Sequence, residues 1–213
     1  MKISCPLSRS LLIIFALACT ALLPATAFGV NPPPVGGYPG ENTATGDFAL
    51  LSLSSGRDNT ALGFDALLSN TEGFFNTATG AGALLNNTTG NFNTATGFQA
   101  LVSNTSGIDN TAIGYQALYG NINGRDNTAN GVSALASNTT GEDNTASGFL
   151  ALYQNTTGSL NTASGSSALI RNSTGSENAA NGALALYSNA TGYNNTASGA
   201  LALENNKIGR AHV

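Results

Sequence analysis

Apolar and polar positions recur along this chain in a block of 17 residues that repeats ten times from Asn42 onward. Each block reads approximately N-T-A-x-G-x-x-A-L-x-x-N-T-T-G-x-x, and we number its positions one to seventeen. All ten blocks share Asn at position one, Ala at three, Gly at five, Ala at eight and Leu at nine. A fixed period of this length indicates a small structural unit that stacks on copies of itself.

The order of residues within a block predicts short strands and turns. Thr at position two and Ala at position three alternate as in a strand of period two. Gly at five and Asn-Thr-Thr-Gly at twelve to fifteen are turn formers, and no ten consecutive residues of a block lack glycine, which disfavours helix. The sequence therefore predicts an all-β fold, a single-chain β-solenoid of about ten coils over residues 42–206, with adjacent coils about 4.8 Å apart.

Small and amide side chains at fixed positions predict a narrow interior. Only a methyl group is expected to fit at position three, because larger side chains would overpack every coil by ~1–3 kcal/mol. The asparagines at position one are expected to bond to their copies one coil away, since a buried amide without a partner costs ~1–3 kcal/mol. The predicted core ladder consists of Ala44, Ala61, Ala78, Ala95, Ala112, Ala129, Ala146, Ala163, Ala180 and Ala197.

The Ala-Leu pair at positions eight and nine is followed by another apolar residue in most blocks, which predicts a second strand that is apolar on both faces. One face would fill the coil, and the other would lie bare on a single chain. A continuous apolar stripe normally marks an interface, so the pattern predicts self-association along the rod axis. The bare face is formed by the leucines or by their apolar neighbours, and the predicted interface ladder consists of Leu50, Leu67, Leu84, Leu101, Leu118, Leu135, Leu152, Leu169, Leu186 and Leu203.

Two motifs carry a resemblance to a known family: N-T-A-I-G at residues 110–114 and A-L-V-S-N-T-S-G at residues 100–107. They resemble repeats in the heads of trimeric autotransporter adhesins, especially a longer variant found in secreted bacterial repeat proteins. The resemblance covers residues 42 to about 206. It implies a left-handed β-roll and a homotrimer around one axis, in which Ala146, Gly148, Ala151 and Leu152 would line the interior and the axis.

The two ends of the chain differ from the repeats. Residues 1–27 predict a secretory signal peptide, because a basic start and a short apolar stretch precede small residues at a cleavage site; lipidation at Cys19 is the less favoured alternative. Residues 28–41 form a Pro/Gly-rich lead-in, and residues 207–213 are interpreted as a sequencing-adapter artefact. The sequence predicts a bacterial protein that is secreted or held at the outer cell surface, with no membrane span in the mature chain.

Composition argues against several function classes. Only 8% of residues are charged and the net charge is −4, which disfavours binding to nucleic acid. Both cysteines lie in the predicted signal peptide and the single histidine is His212. The sequence therefore predicts no enzyme, no catalytic residues, no metal and no cofactor.

Two recurring polar motifs have both a functional and a structural interpretation. Asp58, Asp109, Asp126 and Asp143 recur at position seventeen and suggest calcium, but calcium repeats need more carboxylates per site, so a turn role is favoured. Asn-x-Thr triplets, such as the one at Asn87, match glycan acceptors. A turn role is favoured for these as well.

A threonine recurs at position two in nine of the ten blocks and predicts a regular row of hydroxyl groups on a flat face. Three blocks read T-A-T, the arrangement of ice-binding solenoids, but Leu62, Ile113 and Asn130 at position four interrupt the lattice. The possible ligand face consists of Thr43, Thr60, Thr77, Thr94, Thr111, Thr128, Thr145, Thr162 and Thr196.

The resulting functional prediction is a secreted or cell-surface, non-enzymatic structural or adhesive rod that contacts an unidentified surface receptor. The alternative is a ligand-binding solenoid for ice or polysaccharide that acts through the threonine face.

Overall fold

The computed structural model describes residues 40–207 and 209. The signal peptide, most of the lead-in and most of the adapter-like segment lie outside these residues. Ten three-residue strands follow one another in chain order within one sheet. They are β1 (Thr43–Thr45), β2 (Thr60–Leu62), β3 (Thr77–Thr79), β4 (Thr94–Thr96), β5 (Thr111–Ile113), β6 (Thr128–Asn130), β7 (Thr145–Ser147), β8 (Thr162–Ser164), β9 (Ala179–Asn181) and β10 (Thr196–Ser198).

Every strand pairs in parallel with the strand of the next coil, and equal positions face each other. Ala112 of β5, for example, is in register with Ala95 on one side and Ala129 on the other. The chain is thus an all-β, single-chain β-solenoid, as predicted. With strands about 4.8 Å apart, the sheet extends roughly 45 Å along the rod. The part of the chain that the structure describes contains no helix able to cross a membrane.

The interior of each coil is filled by two alanines and one leucine. In the fifth coil, Ala112, Ala117 and Leu118 all have an exposed fraction of 0% within the single chain. The alanines predicted at position three lie in this core, and Ala44 at the first coil is only partly buried. Burial of one leucine side chain contributes roughly 1.5–3 kcal/mol, so the stacked leucines are a main source of stability.

The expectation that the position-nine leucines lie bare on one chain is wrong. Leu67 to Leu186 of this ladder are 0% exposed, Leu50 is 2% exposed, and Leu203 in the tenth coil is partly buried. The argument for an interface through Leu50, Leu67, Leu84, Leu101, Leu118, Leu135, Leu152, Leu169, Leu186 and Leu203 fails with it.

The position-nine leucines are buried because the Ala-Leu segment is a run of turns and not a second strand. In the seventh coil, Ala151 N–H donates to the Gly148 carbonyl at 3.3 Å, and Tyr153 N–H donates to the Leu150 carbonyl at 3.3 Å. Leu150 and Leu152 have φ of 56° and 52°. A positive φ at the third residue is the geometry of a type II turn. Strict alternation of faces holds only for extended backbone, so Ala151 and Leu152 can both be buried in the core.

Leucine in this left-handed conformation costs about 1–2 kcal/mol. The cost is tolerated because the leucine side chain is buried and because its amide is paired: Leu152 N–H donates to the Ala168 carbonyl of the next coil at 3.0 Å.

Two ladders of buried asparagines run along the rod. At position one, the Asn110 amide nitrogen Nδ2 donates to Asn93 Oδ1 at 3.1 Å and to the Gly124 carbonyl at 2.8 Å. This ladder was expected from the sequence. At position twelve, Asn121 Nδ2 donates to Asn104 Oδ1 at 2.9 Å and to the same Gly124 carbonyl at 3.1 Å. Sequence reasoning assigned this second set to turn chemistry only.

Glycine is required at position five because the coils approach one another closely there. Gly114 has φ of 133°, and a Cβ built on it would lie 2.5 Å from the Gly131 carbonyl oxygen of the next coil. An L-residue would meet both a disfavoured backbone conformation and a backbone atom that cannot move aside.

Candidate ligand-binding face

The outward side of the parallel sheet forms what we call the strand face, made of the side chains at positions two and four of β1 to β10. In β7, Thr145 and Ser147 are exposed while Ala146 between them is buried. Because the strands are in register, positions two and four form two continuous columns. Neighbours within a column are about 4.8 Å apart, and the columns are about 7 Å apart.

The hydroxyl groups of the strand face are not used inside the protein. Within the described residues, no threonine at position two and no Thr or Ser at position four forms a side-chain hydrogen bond to another protein group. Threonines at position thirteen behave differently. Thr88 Oγ1 and Thr139 Oγ1 each donate at 2.9 Å to the carbonyl of the next coil's position-thirteen residue. The rod therefore has one structural threonine row and one row that is free to bond a ligand or water.

The threonines predicted as a ligand face all lie on the strand face. Ala179 replaces threonine in the ninth coil. The position-four column mixes Thr, Ser and Asn with two exposed apolar residues, Leu62 at 38% and Ile113 at 43%. Threonines of this face are Thr43, Thr60, Thr77, Thr94, Thr111, Thr128, Thr145, Thr162 and Thr196.

An exposed aromatic column runs beside the strand face at position six, two residues beyond the position-four column. It consists of Phe64, Phe98, Tyr115 and Phe149, with exposed fractions of 52%, 47%, 49% and 54%. The rings of Phe98 and Tyr115 stack at 5.6 Å with an angle of 11° between their planes. Sequence reasoning missed this column. The sequence does contain a pattern that predicts it, since four blocks carry an aromatic residue directly after the position-five glycine.

The strand face and the aromatic column carry almost no charge. At positions two, four and six, Asp47 is the only charged residue. The ion pair between Arg125 Nε and Glu142 Oε1, 3.0 Å long, lies at position sixteen, which belongs neither to the strand face nor to the aromatic column. The hydrogen bond to Glu142, and then its negative charge, raise the pKa of Arg125 above its ordinary value.

The aspartates at position seventeen act as turn residues. Asp109, Asp126 and Asp143 have φ of 54° to 56°, and Phe75 and Phe92 adopt the same conformation in other coils. Asp tolerates left-handed backbone better than most residues, which explains its recurrence. Among residues 40–207 and 209, no group of three His, Cys, Asp or Glu side chains is placed to hold a metal ion.

The Asn-x-Thr triplets that begin at Asn87 and Asn138 are not accessible to modification in the folded rod. Asn87 and Asn138 have an exposed fraction of 0%. Their amide nitrogens are used in the position-twelve ladder, where Asn138 Nδ2 donates to Asn121 Oδ1 at 2.8 Å and Asn87 Nδ2 donates to Asn70 Oδ1 at 2.7 Å.

No protein-family model, curated protein or solved structure matches this chain. Evidence for a function therefore comes from the surfaces of the rod.

Proposed function

We propose that this chain is an extracellular, non-enzymatic rod that has a structural or adhesive role and makes its contacts along its side. The observation that carries the proposal is the way the interior is used. Alanines, leucines and two amide ladders fill the coils, and the amides bond to one another and to backbone carbonyls. Chemistry that is available to a partner lies on the outside of the stack.

The resemblance to adhesin heads extends the proposal to a left-handed coil, a homotrimer and a bacterial surface location. The recurring N-T-A-x-G motif and the parallel single-chain coil support this extension. Since the leucines are buried in one chain, three rods would pack through exposed side chains.

Secretion and shape are testable on the full chain expressed in a bacterial host. We expect intact mass to show removal of residues 1–27 from exported protein, and small-angle scattering to show an elongated particle. Light scattering reports the number of chains. Retention of the protein in the cytoplasm with its leader intact would contradict the extracellular role, and a compact particle would contradict the rod.

A second candidate function is a ligand-binding solenoid that acts through the strand face. The observation that favours it is the contrast between the two threonine rows, of which only the outward row is without side-chain bonds in the described residues. Ice and polysaccharide are the two ligand classes that the sequence suggests, and thermal hysteresis of the purified protein tests the first.

A further inference from the structure

We propose that the strand face and the aromatic column together bind an extended, uncharged polysaccharide chain that lies along the rod axis. The inference rests on the second candidate function, binding through the strand face, and specifies its ligand.

The two surfaces match the two kinds of group on a sugar ring. A pyranose presents apolar C–H groups on its faces and hydroxyl groups around its edge. Exposed rings such as Phe98 and Tyr115, each about half exposed, offer apolar surface for the C–H groups. Thr94 and Thr111, in register on the neighbouring strands, offer hydroxyls that each donate one hydrogen bond and accept two.

The charge of the surface selects for a neutral ligand. An anionic glycan would be recognised by Lys or Arg, and positions two, four and six contain neither. The one charged residue of these positions, Asp47, lies in the first coil and would repel an anion. The surface is therefore suited to a glycan whose polar groups are uncharged hydroxyls.

The continuity of the columns selects for an extended chain. All neighbouring strands from β1 to β10 pair in register, so the columns continue along the whole sheet without a sideways step. An extended polysaccharide would stay on such a surface over many coils, whereas a coiled one would leave it after a few sugars. Many weak contacts can then add up along one chain.

The same surface is poorly suited to ice. Leu62 and Ile113 interrupt the hydroxyl lattice of position four, and large rings at Phe64 and Phe98 flank the small Ala81 in the neighbouring column. A flexible polymer tolerates missing hydroxyl partners in some coils, because the remaining contacts still hold it. A crystalline water layer needs a regular surface.

The experiment measures depletion of the full chain from solution by insoluble cellulose and by chitin. We expect the unmodified protein to bind at least one of them. Phe98→Ala/Tyr115→Ala is expected to reduce the partition constant about fivefold or more, because the apolar surface of two exposed rings is lost. Thr94→Val/Thr111→Val, which removes hydroxyls while keeping the side-chain shape, is expected to reduce it several-fold.

The matched control is Phe75→Ala/Phe92→Ala. These two rings also stack, at 5.2 Å, and are 46% and 50% exposed, but they lie at position seventeen, two residues before the threonines, at the end of the strand opposite to the aromatic column. Binding by this variant within about twofold of the unmodified protein supports the proposal. An equal loss in both double variants would indicate general adsorption of aromatic side chains and would overturn it.

Three further outcomes overturn the proposal: no binding to either glycan, equal binding to anionic polygalacturonate, or an oligomer that dissociates when Phe98 and Tyr115 are replaced. The last would assign the face to a second copy of this chain. If the protein is exported and elongated but binds no glycan, the polysaccharide inference fails while the rod proposal stands. A compact, unexported protein removes the rod proposal whatever the binding result.

Discussion

The position-one amide ladder is the best place to measure what holds the coils together, and Asn110→Ala is the variant we would make. Asn110 sits in the middle of the rod with an exposed fraction of 0%. Its Oδ1 accepts from two groups of the next coil, the Asn127 backbone N–H at 3.2 Å and Asn127 Nδ2 at 3.1 Å. Its Nδ2 donates to Asn93 and Gly124.

Asn110→Ala removes a hydrogen-bond partner from four groups, and these groups are not affected equally. Asn127 Nδ2 keeps its bond to the Gly141 carbonyl, and Asn93 Oδ1 keeps the bond from the Asn110 backbone N–H. The Gly124 carbonyl keeps the bond from Asn121. Only the Asn127 backbone N–H loses its one acceptor completely.

An orphaned buried donor costs about 1–3 kcal/mol. The space left by the missing amide group adds further loss of packing, so we expect Asn110→Ala to lower the free energy of unfolding by roughly 2–4 kcal/mol. Asn121→Ala should lower the free energy of unfolding by less. It leaves only the side-chain oxygen Asn104 Oδ1 without any hydrogen-bond partner, and oxygens without a full set of partners are better tolerated than donors.

The assay combines urea denaturation with amide hydrogen exchange. Hydrogen exchange identifies which amide has lost its acceptor, because the Asn127 backbone amide should lose protection in Asn110→Ala and keep it in Asn121→Ala. The control is Asn123→Ala, an exposed asparagine two residues along in the same coil as Asn121, which should change stability by less than about 0.5 kcal/mol. Equal stability of Asn110→Ala and Asn123→Ala would refute the idea that the ladder bonds stabilise the stack.

Three further predictions concern the glycines, the leucines and pH. Gly114→Ala should unfold the central coils or lower stability by more than about 3 kcal/mol, since its Cβ would collide with the Gly131 carbonyl; Gly82→Asp is the matched control. Gly82 has φ of 67°, and Asp65 holds the equivalent place at 56°, so that change should stay within about 1 kcal/mol. Leu118→Ala should cost about 2–5 kcal/mol by urea denaturation without altering the mass in solution, because the side chain is buried in its own chain; dissociation of an oligomer would restore the interface interpretation. The denaturation midpoint should be nearly equal at pH 5 and pH 9, because the buried polar groups in the described coils are amides, which do not titrate; a steep pH dependence would show that charged groups hold the coils together.

The part of the fold that follows from the sequence is the part governed by period and size. A 17-residue repeat with two glycines excludes long helices, and an alanine at position three of every block requires a narrow interior. The position-one asparagines could be placed in a buried ladder because an unpaired amide inside the stack would be too costly. These inferences depend on local chemistry repeated in every coil.

The error at the leucines has a specific physical cause. The sequence A-L-x at positions eight to ten reads as a strand, and a strand would turn Leu118 away from Ala117. The backbone instead adopts positive φ at positions seven and nine, a conformation that single-residue preferences disfavour for leucine. The second ladder, built on Asn121 and its copies, was hidden for a related reason, since Asn-Thr-Thr-Gly is equally typical of an exposed turn.

The strict repeat is enough to predict that identical coils stack, because it imposes the same local geometry ten times over. Which side each residue faces depends on how the coils pack against one another. Contact between coils turns the leucines inward at the expense of backbone strain, leaves one threonine row bonded and the other free, and aligns four scattered aromatic residues into a column. Those outcomes depend on distances between residues 17 positions apart, which only the stacked chain brings together.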